Sequence, residues 1–207
     1  AISISSSSVR NILRRHGIPP APHRGRGHDE PNALVMTTDE ARNADTVAID
    51  FCHAVVGTGE TGSPLRAAHV LIAIHLISRV AMVVGVTTGK PNADFMARCA
   101  VTLTGPDGFL PAHQATKIRM DHDNIFSPAF RANLTGVTVE RTAVRCPWQN
   151  GHAERFVKTL KFGILRKAIW ENETSLRLGC DLFIQHYLTE RPHQALDGRT
   201  PVPPATP

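Results

Sequence analysis

Residues 46–56, TVAIDFCHAVV, form an apolar and β-branched run that a single acidic residue, Asp50, interrupts. This composition predicts a buried strand. The turn-forming stretch GTGETGSP (57–64) follows, and two more apolar runs come after it, VLIAIHL (70–76) and VAMVVGVTT (80–88). Three strands joined by short turns predict an antiparallel meander.

Residues 69–86 approach the length of a membrane-spanning helix, so this alternative has to be weighed. His75, Ser78 and Arg79 lie in the middle of the stretch. An Arg at the bilayer centre costs about 2.5–3.5 kcal/mol on insertion scales. We therefore predict that Ser78-Arg79 is a break between two buried strands and not part of a membrane span.

The rest of the chain predicts a mixed α/β order. The expected elements are a helix over 91–104, a loop over 105–114, short strands over 116–121 and 135–142, a long helix over about 149–170, and a helix over about 174–187. Residues 191–207 are too rich in Pro for regular structure. Three strands, a helix, two strands and a long helix are typical of an α/β domain.

The composition favours a nucleic-acid partner. The chain of 207 residues has a formal net charge of +5 and a pI near 9.4, which attracts polyanions. The four cysteines contain no Cys-x-x-Cys pair, a spacing that excludes a zinc knuckle and a dense disulfide framework. We expect buried, reduced thiols in a cytoplasmic protein.

The N-terminal region differs from the rest of the chain in its amino-acid composition. Residues 9–16, VRNILRRH, have the apolar spacing of a basic helix, and residues 18–32 form a linker rich in Pro, Gly and charge. The helix is either the end of a DNA-binding module or a solvated terminal helix. The absence of an initiator Met leads us to expect that the chain is a fragment of a longer protein.

Two acidic residues on strands are candidates for chemistry. Asp50 lies within an apolar strand, where an ionised carboxylate is costly unless it is paired or bound to a metal, although alternation also allows it a solvent-facing position. Asp121 ends a predicted strand, where sites in α/β folds often form, although an Asp there also commonly makes its own turn. Asp123 is an alternative to Asp121.

A third candidate lies in residues 146–161, CPWQNGHAERFVKTLK. The helix expected here has an apolar, core-facing stripe, and Glu154, Lys158 and Lys161 lie on a different face. These three residues form either an ordinary helix salt bridge, worth about 0.2–0.5 kcal/mol, or a metal-binding acid beside two phosphate-binding cations. The helix geometry alone does not distinguish the two.

The three acids together predict a metal site. Three converging carboxylates repel one another and persist together when divalent cations neutralise them. Two Mg²⁺ ions about 3.5–4 Å apart can stabilise both the attacking and the leaving oxygen of an in-line phosphoryl displacement. Cutting and joining DNA is chemistry of this kind.

Four stretches carry a family resemblance: VAIDF (47–51), VLIAIHLISRVAMVVGV (70–86), IRMDHDNIFSPAF (118–130), and CPWQNGHAERFVKTLK with the later HYLTERPHQALDGRTP (186–201). Over residues 46–203 the chain resembles the integrase core of bacterial insertion-sequence transposases, which are related to retroviral integrases. The resemblance implies an RNase H-like fold of the α/β class, with three antiparallel strands, then two parallel strands, flanked by helices.

The resemblance also implies functional roles. It maps the catalytic, metal-binding acids to Asp50, Asp121 and Glu154 and DNA contacts to Asn150, Lys158 and Lys161. Phe126, five residues after Asp121, sets the register and leaves Asp123 in a non-catalytic position. The implied cofactor is Mg²⁺ or Mn²⁺, as two ions, and the implied partners are transposon ends, target DNA and further copies of the chain, with no membrane.

The resemblance further implies a domain plan. Residues 1–24 would be the remnant of an N-terminal helix-turn-helix region and 25–45 a linker. Residues 46–172 would be the catalytic core, and 173–207 a C-terminal helix with a Pro-rich tail.

Departures from the family pattern support competing hypotheses. Asp121 and Glu154 are separated by 32 residues (122–153), a few fewer than the family usually has, and the shortfall falls between Phe130 and Gly136. The Asp-x-Gly often seen after the second acid is Asp121-His122-Asp123 here. An inactive, truncated remnant that only binds DNA is therefore the alternative, and a generic nuclease acting on RNA–DNA hybrids is a third possibility.

Other polar and aromatic residues near these motifs have structural interpretations. A Mg²⁺ site prefers oxygen ligands, so we interpret His122 and His152 as groups that surround the site or lie on the surface. Trp148 is expected to be a packing residue. Arg191 and His193 either contact DNA or cap the last helix.

Overall fold

The computed structural model describes Arg15 and residues 43–57, 64–143 and 150–202. The chain divides into two compact units, Ala1–Met36 and Thr37–Pro207, and all the elements below belong to the second. The predictions for the N-terminal helix and the linker, for the turn at 58–63 and for Trp148 lie outside the described residues, apart from Arg15, which is helical.

Five strands form one mixed sheet: β1 (Thr46–Val56), β2 (Arg66–His75), β3 (Ala81–Thr88), β4 (Lys117–Met120) and β5 (Thr138–Arg141). The strand order is β3-β2-β1-β4-β5. β1 pairs with β2, and β2 with β3, in antiparallel fashion, whereas β1–β4 and β4–β5 are parallel. The predicted RNase H-like sheet is confirmed.

Helices cover both faces of the sheet. They are α1 (Ala93–Thr104), α2 (Phe109–Ala112), α3 (Pro128–Asn133), α4 (Gly151–Leu160) and α5 (Glu173–Thr189). A π-helix, Lys161–Leu165, continues α4, and a 3₁₀ helix covers Gln194–Leu196. α1, α2 and α3 enclose one hydrophobic core with the sheet, whereas α4 and α5 enclose the other. Alternate residues of β1 therefore face different cores.

The two central apolar runs are strands, as predicted. β2 is buried from Val70 to His75, which explains its nearly continuous apolar sequence. Arg79 lies in the β2–β3 turn with φ of 61°, a left-handed conformation in which a strand cannot continue. No helix in the described part of the chain is long and apolar enough to cross a membrane.

Two predictions around α1 and α2 need correction. The helix predicted over 91–104 begins two residues later, at Ala93, because the side chain of Asn92 caps it by accepting a hydrogen bond of 2.9 Å from the Phe95 amide. Residues 105–114 were predicted as a loop but contain α2. This short helix buries Phe109 and Leu110 in the core, and that burial stabilises a turn whose sequence is rich in loop-forming residues.

Two predictions in the C-terminal part were also wrong. The helix predicted to reach residue 170 ends with the π-helix at Leu165, and Trp170 instead forms an isolated parallel bridge with Val56. The tail was predicted to lack regular structure. It contains the 3₁₀ helix, and His193 and Arg199 form an antiparallel bridge around it.

The segment in which a shortfall is expected, between Phe130 and Gly136, includes the end of α3, a helix of six residues. The Ser127 hydroxyl accepts a hydrogen bond of 3.2 Å from the Phe130 amide and caps the helix. Phe130 remains 1% exposed, so the short helix still closes its part of the core.

Gly179 provides a stability prediction. A Cβ added there would lie 2.3 Å from Cη2 of Trp170, so Gly179→Ala must displace the indole ring. We expect a loss of about 1–3 kcal/mol from overpacking, against a gain of up to about 1 kcal/mol in helix propensity. Urea denaturation would measure the net loss. The neighbouring Leu178→Ala, at a position 59% exposed, is the matched control, and a Gly179→Ala protein as stable as wild type would contradict the packing argument.

Candidate active site

Asp50 lies in the middle of β1, on the sheet face that α4 covers. Its neighbours at alternate positions, Ala48 and Cys52, belong to the core that contains Ala153 and Phe156 of α4. Asp50 is half-buried, and its Oδ1 accepts a hydrogen bond of 2.8 Å from the Phe51 amide. The solvent-facing interpretation of Asp50 is therefore wrong, because the carboxylate lies on a helix-covered face.

The register of the sheet brings Asp121 close to Asp50. In the parallel pair of β1 and β4, Ala48 lies opposite Arg119. This is the last paired position, and Asp50 and Asp121 each follow it by two residues, close enough for the charge of Asp121 to act on Asp50. Ile118 and Met120 point into the opposite core, so alternation directs Asp121 to the same side as Asp50.

Local hydrogen bonds hold the turn after β4. Asp121 Oδ1 accepts a hydrogen bond of 2.9 Å from the Asp123 amide, and Asp123 Oδ1 accepts one of 3.0 Å from the Ile125 amide. His122 Nε2 donates to the Thr142 carbonyl at 2.5 Å. Asp121 thus makes its own turn, as one interpretation expected, and that turn also fixes its position beside β1.

Phe126 packs in the core beneath the turn that follows Asp121. It is 1% exposed, and its ring centroid lies 5.5 Å from that of Phe51 and 5.8 Å from that of Phe130. Phe51 is the residue next to Asp50 in β1. The packing of these rings therefore joins the strand that carries Asp50 to the segment that follows Asp121.

α4 carries the third acid. Ala153, Phe156 and Leu160 are buried against the sheet, which confirms the predicted core-facing stripe. Glu154 lies in the first turn of α4 and is half-buried. Ala153 belongs to the same core as Ala48 and Cys52, the neighbours of Asp50, and the charge of the next residue, Glu154, acts on Asp50.

The charges of these acids act on one another. The pKa of Asp50 is raised from 3.8 to about 7, chiefly because burial disfavours the charged form. The Phe51 amide opposes this rise, and the negative charges of Asp121, Glu154 and Asp123 each add to it. The structure therefore brings Asp50, Asp121 and Glu154 into one electrostatic neighbourhood, and Asp123 shares it.

The donor chemistry of this neighbourhood suits a hard divalent cation. All the candidate ligands are carboxylate oxygens, which Mg²⁺ and Mn²⁺ prefer. A cation would offset the repulsion between these charges, which adds to the rise in the pKa of Asp50 that burial chiefly causes. Within residues 43–57, 64–143 and 150–202, however, no group of three or more His, Cys, Asp or Glu side chains is arranged to hold a metal ion. Shared coordination by the three acids therefore requires their side chains to move closer together.

The two lysines of this helix remain available for anions. Lys158 is exposed and Lys161 is half-buried, and neither forms a salt bridge with a described carboxylate. The expected alternative, an ordinary Glu154–Lys158 ion pair, is thus not formed. The positive charge of Lys161 opposes the burial that raises the pKa of Cys52, so Lys161 lies toward the Asp50 side of β1.

Asn150 occupies the N-cap position of α4, but its side chain makes no capping hydrogen bond. It is 3% exposed, and its buried Oδ1 has no hydrogen-bond partner among the described residues. A direct contact between this buried side chain and DNA requires local movement. The DNA contact of Asn150 stays a prediction.

Sequence reasoning missed a contact between Arg79 and the start of α4. Arg79 Nη1 donates to His152 Nδ1 at 2.7 Å. The pKa of His152 is lowered to about 4 by burial and then by the charge of Arg79, so the ring is neutral near pH 7 and can accept this bond. His152 is half-buried, and the interpretation that it lies near a metal site stays a prediction. Nothing in the sequence signals the contact, because the two residues are 73 positions apart.

The raised pKa of Asp50 predicts a pH dependence of stability in metal-free buffer. The native protein retains a proton that the unfolded chain releases between pH 3.8 and about 7. The stabilisation is complete below pH 3.8 and is lost as the pH rises through about 7. It amounts to at most about 4 kcal/mol.

Comparison with Asp50→Asn isolates this effect from other titrating groups. We expect the variant to be more stable than wild type at about pH 8, and to lose this advantage at about pH 4, in urea denaturation with a chelator present. If the stability difference between Asp50→Asn and wild type were the same at both pH values, that result would contradict the raised pKa of Asp50.

Residues 135–201 match the model of the family described as "Integrase core domain". The matched segment contains β5, α4, α5 and the 3₁₀ helix, and with them Glu154, Lys158 and Lys161. Asp50 and Asp121 lie before it. No curated protein matches the chain.

Proposed function

We propose that this chain, of which residues 135–201 match the integrase core domain family, is a DDE-type transposase or integrase that cleaves DNA and joins DNA ends. The observation that supports this most strongly is the raised pKa of Asp50, to which the charges of both Asp121 and Glu154 contribute. Burial is the larger cause, and carboxylates from the segment after β4 and from α4 add to it. A buried carboxylate whose pKa is strongly raised beside other acids is typical of a functional site.

Asp50, Asp121 and Glu154 are the residues that would hold Mg²⁺ or Mn²⁺, as two ions. When bound, divalent cations at such a site supply Lewis acidity to the scissile phosphate. The carboxylates come from the sheet and from α4, two elements that pack on one core, so the protein holds their backbones in fixed relative positions before DNA arrives.

The reaction itself is an in-line phosphoryl transfer. In cleavage, water attacks the phosphodiester, a P–O bond to water forms, and the bond to the leaving 3′-oxygen breaks. In strand transfer, the free 3′-hydroxyl attacks a target phosphodiester in the same way. Lys158 and Lys161 bind the flanking phosphates as point charges. No protein nucleophile takes part, so no covalent protein–DNA intermediate forms.

The test is a nicking and strand-transfer assay with terminal inverted-repeat DNA in Mg²⁺ or Mn²⁺. We expect specific nicking near the end of the repeat, joined products with a second duplex, and loss of both on chelation. We also propose that the active form is a homo-oligomer, because cutting both ends of one element needs more than one active site. A lack of nicking by a protein that still binds these ends would contradict the proposed activity.

The lysine contacts predict how DNA affinity depends on salt. Lys158→Gln and Lys161→Gln should each reduce the slope of log affinity against log salt by about 0.9, the value for one lost phosphate contact on duplex DNA. Titrations by fluorescence anisotropy at several salt concentrations measure the slope. Lys117→Gln is the matched control, since Lys117 begins β4, away from Asp121, and pairs with Asp45 at 3.1 Å. Equal slopes for all three variants would exclude these contacts.

A second candidate function is a non-catalytic DNA-binding protein. The arrangement of the described side chains favours it, because no three of them are arranged to hold a metal ion, and so does the 32-residue interval between Asp121 and Glu154. This candidate predicts that the chain binds DNA ends with the same salt dependence but neither nicks them nor changes its unfolding temperature when Mn²⁺ is added. The nicking assay separates the two functions.

A further inference from the structure

An open groove of about 400 Å³ lies between α4 with its π-helical extension and α5. Arg155, Lys158 and Phe162 line it from one side, and Phe183 and Arg191 line it from the other. The groove begins one residue beyond Glu154, yet none of the three candidate acids lines it. It is therefore a surface next to the candidate acids, and it shares Lys158 with the phosphate contacts proposed above.

The groove is positively charged. Arg155, Lys158 and Arg191 are exposed, and none of them forms a salt bridge with a carboxylate in the part of the chain that the structure describes. Three solvated cations along one groove attract a polyanion and provide point contacts for phosphate groups. A protein partner that covered this surface would need matching acids.

The groove also presents an aromatic ring. Phe162 is 61% exposed, and the guanidinium of Arg166 lies over its ring, 4.9 Å from the centroid. An exposed ring among cations is the combination by which proteins bind single strands, with bases stacking on the aromatic side chain and phosphates contacting the cations. Phe162 lies in the π-helix, and such segments frequently occur at functional sites.

The floor of the groove depends on a glycine. A Cβ added at Gly163 would lie 2.3 Å from Cε2 of Phe183, so only a residue without a side chain allows the Phe183 ring to lie against the π-helix. Phe183 in turn packs on the core beneath. The concave shape beside Phe162 is therefore built from packed residues.

The spacing along the helix links the groove to the candidate active site. Lys158 follows Glu154 by one turn of α4, and both Lys158 and Phe162 line the groove, which therefore extends along the helix away from Glu154. We propose that this groove binds a DNA strand that leaves the candidate active site, with an unpaired base stacked on Phe162 and its phosphates on Arg155, Lys158 and Arg191. This inference rests on the proposed function for the source of the strand.

The experiment measures DNA binding without divalent metal, so that it does not depend on cleavage. Fluorescence anisotropy in a chelator would compare a blunt duplex with a duplex of the same length that ends in a short unpaired tail. We expect wild type to prefer the tailed duplex. Phe162→Ala should weaken tailed binding about tenfold, the effect of losing one stacked base, and should change blunt-duplex binding by less than about twofold.

Two further variants make the result specific. Phe162→Trp should keep the preference for the tailed duplex, since an indole also stacks. Leu182→Ala, which removes another exposed apolar side chain (57% exposed) from α5, should bind both duplexes as wild type does. Unchanged tailed binding by Phe162→Ala, or an equal loss for both duplexes, would overturn the inference.

The failure of this inference is distinguishable from the failure of the proposed function. If wild type never nicks DNA but Phe162→Ala still loses the tail preference, only the proposed activity fails. If wild type nicks DNA and Phe162→Ala binds the tailed duplex normally, only the groove assignment fails.

Discussion

Glu154→Gln should reduce metal-dependent nicking and strand transfer by on the order of 10³-fold, the scale on which loss of a single electrostatic contact to a transition state lowers turnover. Gln has nearly the size of Glu, so the half-buried first turn of α4 keeps its packing while one negative charge is lost. Asp50→Asn and Asp121→Asn should have losses of the same order. Single-turnover assays on labelled inverted-repeat ends measure the effect.

Asp123→Asn is the matched control for these variants. Asp123 also acts on the pKa of Asp50, but the resemblance gives it no catalytic role. An Asn side chain can still accept the hydrogen bond from the Ile125 amide, so the turn remains. We expect activity within a few-fold of wild type. Activity that survives Glu154→Gln, or a loss in Asp123→Asn as large as in Asp121→Asn, would contradict the assignment of the three acids.

Phe126→Ala should lower the free energy of unfolding by about 3–5 kcal/mol, the usual cost of removing a buried aromatic ring. The ring is 1% exposed and packs on Phe51 and Phe130. The cavity would lie directly beneath the turn that follows Asp121. Phe126→Leu, which fills part of the space, should cost less.

Urea denaturation monitored by circular dichroism measures this change. Phe162→Ala is the matched control, because the same side chain is removed from a position 61% exposed and surface changes usually stay within about 0.5 kcal/mol. If Phe126→Ala and Phe162→Ala were equally destabilised, Phe126 would not hold the core beneath the candidate site.

The strands could be predicted because burial on both faces has a simple sequence pattern. The runs 46–56, 70–76 and 80–88 are apolar and β-branched, and the structure forms β1, β2 and β3 from them. α2 was missed because its helix depends on the burial of Phe109 and Leu110, a tertiary effect that overrides loop-forming Gly and Pro. The helix end near Leu165 was missed because Trp170 forms a long-range bridge with Val56.

Only part of the candidate site could be predicted from the sequence. The resemblance named Asp50, Asp121 and Glu154, but their proximity depends on the register of β1 against β4, which no local pattern specifies. The contact between Arg79 and His152 joins a strand turn to a distant helix, so it was not predictable. The burial of Asn150 depends likewise on the packed start of α4.

The most direct test of a metal site shared by the three acids is a crystal of the protein soaked in Mn²⁺, with anomalous scattering recorded to locate the ion. The predicted result is an anomalous peak with oxygens of Asp50, Asp121 and Glu154 among its ligands. Electron density for an ordered carboxylate cluster without a peak at saturating Mn²⁺, or a peak bound only by other side chains, would contradict it.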